Sequence, residues 1–230
     1  MVAWTRLLVL AFLTATLLGA SQSVPELRCT TAAESSAITS HKSAQDDLAQ
    51  RVVCGALRQT TDVVIYSNAY REIDYPNGDV PKFLGACVDV VIRAYRAVGI
   101  DLQTLVHEEI GGDPNIAHRQ VRNLRQLFAR RGQSLPIDDD PMSYRPGDIV
   151  TYALRPLETK RDHIAIVSDR IGRSGQPLII HNKGLGPVID DTLFAETITG
   201  HYRFLPVARA LVDVRLHDAE RSHGGGAPWF

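Results

Sequence analysis

The chain has 230 residues, of which 44% are hydrophobic, and 25 basic residues balance 26 acidic ones. This length fits one domain with extensions or two small domains, and the hydrophobic share is sufficient for a packed core. A net charge of -1 without any run of basic residues argues against a nucleic-acid-binding protein.

The N-terminal residues predict export. Arg6 precedes the apolar run LLVLAFLTATLLGA, which has the length of a signal-peptide core and is followed by small polar residues. We expect cleavage near Ala20 or Ser23, which leaves a periplasmic or secreted protein without a stable membrane span. An uncleaved anchor is the alternative, but the run is short for a span and no basic stop follows it.

The first half of the mature chain predicts helices, from caps, terminal glycines and apolar residues at helical spacing. A short extended segment is expected at 63–66, and turn residues fill 67–85. We expect the helices at 43–57, 87–98, 102–110 and 117–131.

The second half predicts short strands separated by Gly, Asp and Arg. They are expected at 148–154, 163–169, 176–181, 187–189 and 201–205. Helices followed by strands indicate an α+β fold in which a helical half packs on an antiparallel sheet. The resulting organisation is a signal peptide (1–23), a loosely ordered segment (24–42), one domain (43–210) and a tail (211–230).

Cysteine is used sparingly, at three positions. Cys87 is expected at the start of the second helix, where unpaired N–H groups and the helix dipole stabilise a thiolate and lower the thiol pKa. The alternative is a small buried hydrophobic residue, as most free cysteines are. Cys29 and Cys54 can form a disulfide in an oxidising compartment, which would leave Cys87 as the odd thiol; the pairing stays open.

Two histidines occupy matching places in the strand half. His163 opens one strand and His181 closes the next, so antiparallel neighbours would bring both imidazoles to the same edge of the sheet. With Cys87 facing that edge, His163 can take the thiol proton while His181 orients the imidazole. Asn182 is expected to point to the opposite face, and His201 is a weaker candidate for a supporting role.

A zinc site is the competing interpretation, because Cys and His are zinc ligands. Cys87, His163 and His181 lack a fourth ligand and a closely spaced ligand pair, and the acidic turn at 137–142 is better explained as a solvated connector. The sequence therefore predicts neither a metal nor a cofactor.

The segments PGDIV, HIAIV and IIH, downstream of a cysteine at a helix start, resemble the NlpC-type peptidoglycan cysteine peptidases of the papain-like superfamily. The resemblance implies a papain-like fold with Cys87 as nucleophile, His163 as base and His181 as third member. More closely, segments such as GACVDVVIRAYRAVG, PNIAHRQVRNL and HNKGLG resemble an exported bacterial family named as domain of unknown function 1287, over about 48–204.

By this resemblance the protein is a cysteine amidase or peptidase that cleaves an amide bond in peptidoglycan stem peptides or another envelope peptide. One departure from the NlpC pattern lies before the nucleophile: NlpC-type peptidases usually carry Asp there, whereas this chain has Ala86 before Cys87. The nearest acid is Asp89, which we expect to cap the helix or to pair with an arginine. Tyrosines on the approach to Cys87 are candidates to line the pocket instead, at positions Tyr66, Tyr70 and Tyr75, together with Asn182.

Two other functions use the same residues. An acyltransferase or thioesterase would share the triad and need a long apolar groove beside Cys87. A catalytically silent envelope-binding module would retain the fold without the activity. Against it, all three residue types of the triad are present in the right order.

Overall fold

The computed structural model describes residues 41–154 and 162–206, with side chains from residue 44 onward. The expected signal peptide, the expected C-terminal tail and Cys29 lie outside the described residues. So does the segment 24–42, except for its last two residues, which begin the first helix.

Four α-helices form close to their expected positions. They are α1 (His41–Arg58), α2 (Cys87–Arg96), α3 (Leu102–Glu109) and α4 (Val121–Arg131). Gly99, with φ of 81°, follows the end of α2, and the Asp101 side chain accepts a hydrogen bond from Gln103 N at the start of α3. Both features match the caps expected from the sequence.

The expected single helix over 117–131 is wrong. Residues Ala117–Arg119 form a separate 3-10 turn, and Gln120 is extended with φ of -114° and ψ of 122° before α4 begins. The Asn123 side chain donates to the Ala117 carbonyl at 2.8 Å, which satisfies a backbone acceptor at the break. The break leaves Arg119 free of a regular helix, and its guanidinium turns toward the start of α2.

The described strands form two sheets. In the first, β1 (Ile65–Tyr66) pairs in parallel with β2 (Leu84–Gly85), so both ends of the turn-rich segment meet just before Cys87. The second is an antiparallel six-stranded sheet in the order β3-β8-β4-β5-β6-β7. Its strands are β3 (Gln133–Ser134), β4 (Ile149–Ala153), β5 (Asp162–Ile171), β6 (Pro177–His181), β7 (Val188–Asp190) and β8 (Thr197–Arg203).

Alternation along β5 divides the core between the two faces of this sheet. Ile164 and Ile166 pack with residues of α1, α2 and α4, whereas Ala165 and Val167 pack with Tyr152 and other residues on the opposite face. The protein is therefore an α+β protein whose helices cover one face of an antiparallel sheet, as the order of elements predicts. No helix among residues 41–154 and 162–206 combines the length and apolarity that a membrane crossing requires.

Candidate active site

The thiol of Cys87 lies at the first residue of α2 and is 4% exposed. Cys87 is a free cysteine, and its sulfur receives hydrogen bonds from the backbone N–H of Val88 and of Ile164 and from the Tyr66 hydroxyl. Ile164 directly follows His163, so the thiol reaches the start of the strand that carries this histidine. The expected contact between Sγ and a ring nitrogen of His163 stays a prediction.

Burial raises the pKa of the Cys87 thiol, and the nearby Asp89 carboxylate acts in the same direction. The hydrogen bonds from Ile164, Tyr66 and Val88 lower this pKa but do not offset the burial. The sequence-based expectation of a lowered pKa is therefore not met, because the helix start is covered by the protein. In the resting state the thiol keeps its proton.

His163 and His181 meet as the strand order predicts. The register of β5 with β6 pairs Ile166 with Ile180, which places His163 and His181 as diagonal neighbours on the face of Ala165 and Val167, opposite the face that the helices cover. Nε2 of His163 lies 2.8 Å from Nδ1 of His181, and the rings are edge-to-face with centroids 5.0 Å apart. Both side chains are buried, so this hydrogen bond is shielded from water.

A carboxylate that the sequence analysis missed extends this pair. Oδ2 of Asp190, at the end of β7, lies 3.3 Å from Nε2 of His181. The register pairs His181 with Val188, so Asp190, two residues further on, shares the face of His181. The strand alternation of PVID could have indicated this position, had β7 been extended by one residue beyond Ile189.

The protonation of His181 is biased toward the neutral ring. Burial lowers the pKa of His181, and the positive charge of Lys183 lowers it further. The Asp190 carboxylate acts against both effects and is the weaker influence. His181 is therefore a neutral imidazole near pH 7, with one N–H donor and one acceptor nitrogen.

The three candidate tyrosines are placed differently. Only Tyr66 contacts the nucleophile, through the hydrogen bond to sulfur. Tyr70 hydrogen-bonds with Asp113 and accepts from Nδ2 of Asn115 at 3.3 Å, and Tyr75 packs edge-on against His107 with ring centroids 5.2 Å apart. The last two belong to the surface of the turn-rich segment.

Asn182 supports the chain that enters α2. Its side chain is fully buried, and Nδ2 donates to the Gly85 carbonyl at 3.3 Å while Oδ1 accepts from the Gly184 N–H at 2.9 Å. Because Gly85 is two residues before Cys87, Asn182 ties the end of β6 to the approach of the nucleophile.

Asp89 fulfils both roles expected for it. Oδ2 accepts from the Ala86 N–H at 2.6 Å, and the carboxylate forms a two-point ion pair with Arg119 at 2.8 and 2.9 Å. Arg119 also donates to the carbonyls of Ser67 and Ala69, both at 2.9 Å. This buried pair fixes the segment after Tyr66 against the start of α2.

His201, the weaker candidate, lies in a separate buried network on β8. Its Nε2 lies 3.0 Å from Oδ2 of Asp148 and its Nδ1 lies 2.9 Å from the Pro136 carbonyl. Arg203 completes the network with bonds of 2.7 and 2.6 Å to the same carboxylate. With all these groups engaged inside the protein, the network holds β8 and β4 together.

Cys54 is disulfide-bonded, and Cys29, its expected partner, lies outside the described residues. Within the two described ranges, no group of three or more His, Cys, Asp and Glu side chains could hold a metal ion.

The described residues thus form an α+β domain with a thiol at a helix start and paired histidines at strand ends. Residues 53–204 match the family described as "Domain of unknown function (DUF1287)", and the chain belongs to this family. It is 41% identical to "Uncharacterized protein YijF" of Escherichia coli (strain K12), in an alignment that covers 65% of this chain and 78% of the relative. No solved structure is significantly similar.

Proposed function

We propose that this protein is an exported cysteine amidase or peptidase with a papain-like arrangement of Cys87, His163 and His181, and that it cleaves amide bonds in peptidoglycan stem peptides. The observation that supports it best is the hydrogen bond between Ile164 N–H and the Cys87 sulfur. It joins the free thiol at the start of α2 to the strand end where the buried pair of histidines lies.

The chemistry follows from these groups. His163 removes the proton from Cys87, and the sulfur attacks the carbonyl carbon of the scissile amide. The C–N bond then breaks as His163 returns the proton to the leaving amine, and a thioester with Cys87 remains. Water, deprotonated by His163, attacks the thioester; the products are a carboxylic acid and the regenerated thiol.

The raised pKa of Cys87 makes His163 a general base rather than the partner of a preformed thiolate. A protonated thiol needs a nearby ring nitrogen with a lone pair at the moment of attack. The negative charge that develops on the carbonyl oxygen is stabilised by backbone N–H groups at the start of α2, together with the Tyr66 hydroxyl once the sulfur is bonded to carbon.

A polar cleft on the turn-rich segment is the proposed site for the part of a charged peptide that lies away from the scissile bond. A cavity of about 650 Å³ is formed by the turn-rich segment that Arg119 fastens to α2. It presents both signs of charge, which suits a stem peptide bearing amine and carboxylate groups. The lining residues are Tyr70, Arg71, Glu72, Ile73, Asp74, Asp79 and Pro81.

The proposed location is the periplasm or the cell exterior, since an N-terminal signal sequence and a disulfide at Cys54 both suit an oxidising compartment. Peptidoglycan lies in this compartment, and the resemblance to NlpC-type peptidases points to the same polymer. This part of the proposal rests on analogy.

The test is incubation of the mature protein with purified peptidoglycan, followed by mass spectrometry of the released fragments. We expect products with one new carboxylate and one new amine, and none with Cys87→Ala or His163→Ala. Asp191→Asn, a substitution near the site but off the triad, should leave the products unchanged. Equal product from the wild type and Cys87→Ala would exclude the mechanism.

An acyltransferase or thioesterase is the second candidate, favoured by exposed apolar side chains on segments next to the site. Ile65 and Phe83 lie on or beside the strands that lead to Cys87, and Leu185 follows His181 at full exposure. A fatty-acyl thioester offered in place of peptidoglycan distinguishes the two, because only this candidate predicts release of the free thiol.

A further inference from the structure

The two histidines are part of a longer hydrogen-bonded series that ends on a carboxylate. We propose that Asp190 is a positioning residue that fixes the tautomer of His181 and, through it, the tautomer of His163, so that Nδ1 of His163 is the basic nitrogen. This inference rests on the proposed function in one respect, namely that Nδ1 of His163 accepts the thiol proton of Cys87.

The first step is the contact between Asp190 and His181. The Asp190 carboxylate acts as acceptor in all its described contacts: Oδ1 accepts from the Asp191 N–H at 2.9 Å and Oδ2 from the Thr192 hydroxyl at 3.1 Å. Oδ2 also faces Nε2 of His181 at 3.3 Å. Since a carboxylate only accepts, the proton of His181 belongs on Nε2.

The second step is that the tautomer of His181 determines the tautomer of His163. His181 is neutral near pH 7, so a proton on Nε2 leaves Nδ1 as a lone-pair acceptor. Nδ1 of His181 lies 2.8 Å from Nε2 of His163, which must then carry the proton of this bond. A neutral His163 protonated on Nε2 has its lone pair on Nδ1.

The reverse assignment is unfavourable. If Nδ1 of His181 donated to His163, the lone pair on Nε2 of His181 would face the Asp190 carboxylate, and two acceptors would be opposed. The Cys87 thiol keeps its proton in the resting state, so a nitrogen lone pair is what the reaction requires. The arrangement therefore prepares His163 to accept that proton.

The charged and titratable groups around His181 come from three segments. His163 faces it from β5, Asp190 from β7, and Lys183 from the turn that follows β6, where Nζ lies 3.6 Å from Oε1 of Glu196. The positive charge of Lys183 lowers the pKa of His181 and so favours the neutral ring. The Asp190 side chain is 41% exposed, which limits the strength of its influence.

The experiment is long-range 1H–15N NMR of the full mature protein with 15N-labelled histidine near pH 8, with assignments from His163→Ala and His181→Ala. We expect shifts of an N–H type for Nε2 and of a lone-pair type for Nδ1 in both rings. In Asp190→Asn the amide can donate or accept, so His181 should show averaged shifts, and His163 should follow. Asp191→Asn, whose side chain bonds to Ser174 instead, is the matched control and should retain the wild-type pattern.

A kinetic measurement accompanies the spectra. The rate of Cys87 alkylation by iodoacetamide at pH 7.5 should fall about fivefold in Asp190→Asn, the size expected for a partly exposed charged contact. It should not change in Asp191→Asn. A wild-type spectrum with the proton of His163 on Nδ1, or tautomers unaltered in Asp190→Asn, would overturn the proposal.

The two proposals fail separately. If the tautomers are as expected but peptidoglycan is not cleaved, the role of Asp190 holds and the substrate is wrong. If peptidoglycan is cleaved and Asp190→Asn alters neither spectrum nor alkylation rate, the triad holds and the role of Asp190 is refuted.

Discussion

Replacement of Arg119 by methionine should destabilise the protein severely. The side chains of Arg119 and Asp89 are 3% and 2% exposed, so Arg119→Met leaves a buried carboxylate without its counter-charge. Removal of one partner from a buried ion pair costs about 3–5 kcal/mol of the free energy of unfolding. The Ser67 and Ala69 carbonyls add little, because these residues reach solvent.

The assay is urea unfolding of the mature protein at pH 7, followed by circular dichroism. With a slope of about 2 kcal/mol per M urea, a loss of about 4 kcal/mol lowers the midpoint by about 2 M. The double variant Asp89→Asn with Arg119→Met should recover most of this loss, because no buried charge remains. Arg51→Met is the matched control, since Arg51 and Asp47 form an exposed pair worth at most about 1 kcal/mol.

A loss of less than about 1 kcal/mol in Arg119→Met, the value for an exposed pair, would refute a role for the buried charge. So would a double variant whose loss equals the sum of the losses of Arg119→Met and Asp89→Asn measured singly. Additivity would mean that the two charges do not depend on each other.

Three further results are expected. Because burial raises the pKa of Cys87, its alkylation rate should rise with an inflection above about 8.5, and an inflection near pH 6 would contradict the burial argument. Tyr66→Phe removes a donor to the sulfur and should move this inflection to higher pH, whereas Tyr75→Phe, whose ring packs against His107, should not. Burial lowers the pKa of His118 from 6.5 to about 4. The contribution of the neutral ring to the free energy of unfolding should therefore be fully present above pH 6.5 and fall by up to about 3 kcal/mol as the pH drops toward 4. Urea midpoints measured across this pH range test this, and His118→Leu should show a smaller decline.

Much of the fold was predictable because its signals are local. The caps and apolar spacing of the helices and the turn residues between strands act within a few positions of the chain, and the structure confirms the α+β class. The contact between His163 and His181 was also predictable, since a strand start beside a strand end follows from an antiparallel hairpin alone.

The misses arise from contacts between residues distant in sequence. The break at Gln120 has no glycine or proline to mark it, and it accompanies the pairing of Arg119 with Asp89, 30 positions away. The raised pKa of Cys87 depends on how completely other segments cover the start of α2. Asp190 was missed because the expected strand was placed one residue too early to include it.

The position of β7 in the sheet has a consequence for local opening. β7 is the last strand in the order and pairs only with β6, whereas β5 and β6 have a neighbour on both sides. Its amide hydrogens should therefore exchange with solvent sooner than those of β5. Asp190 thus stands on one of the two edge strands of the described sheet, and opening of β7 would withdraw it from His181 while β5 and β6, which carry His163 and His181, stay paired.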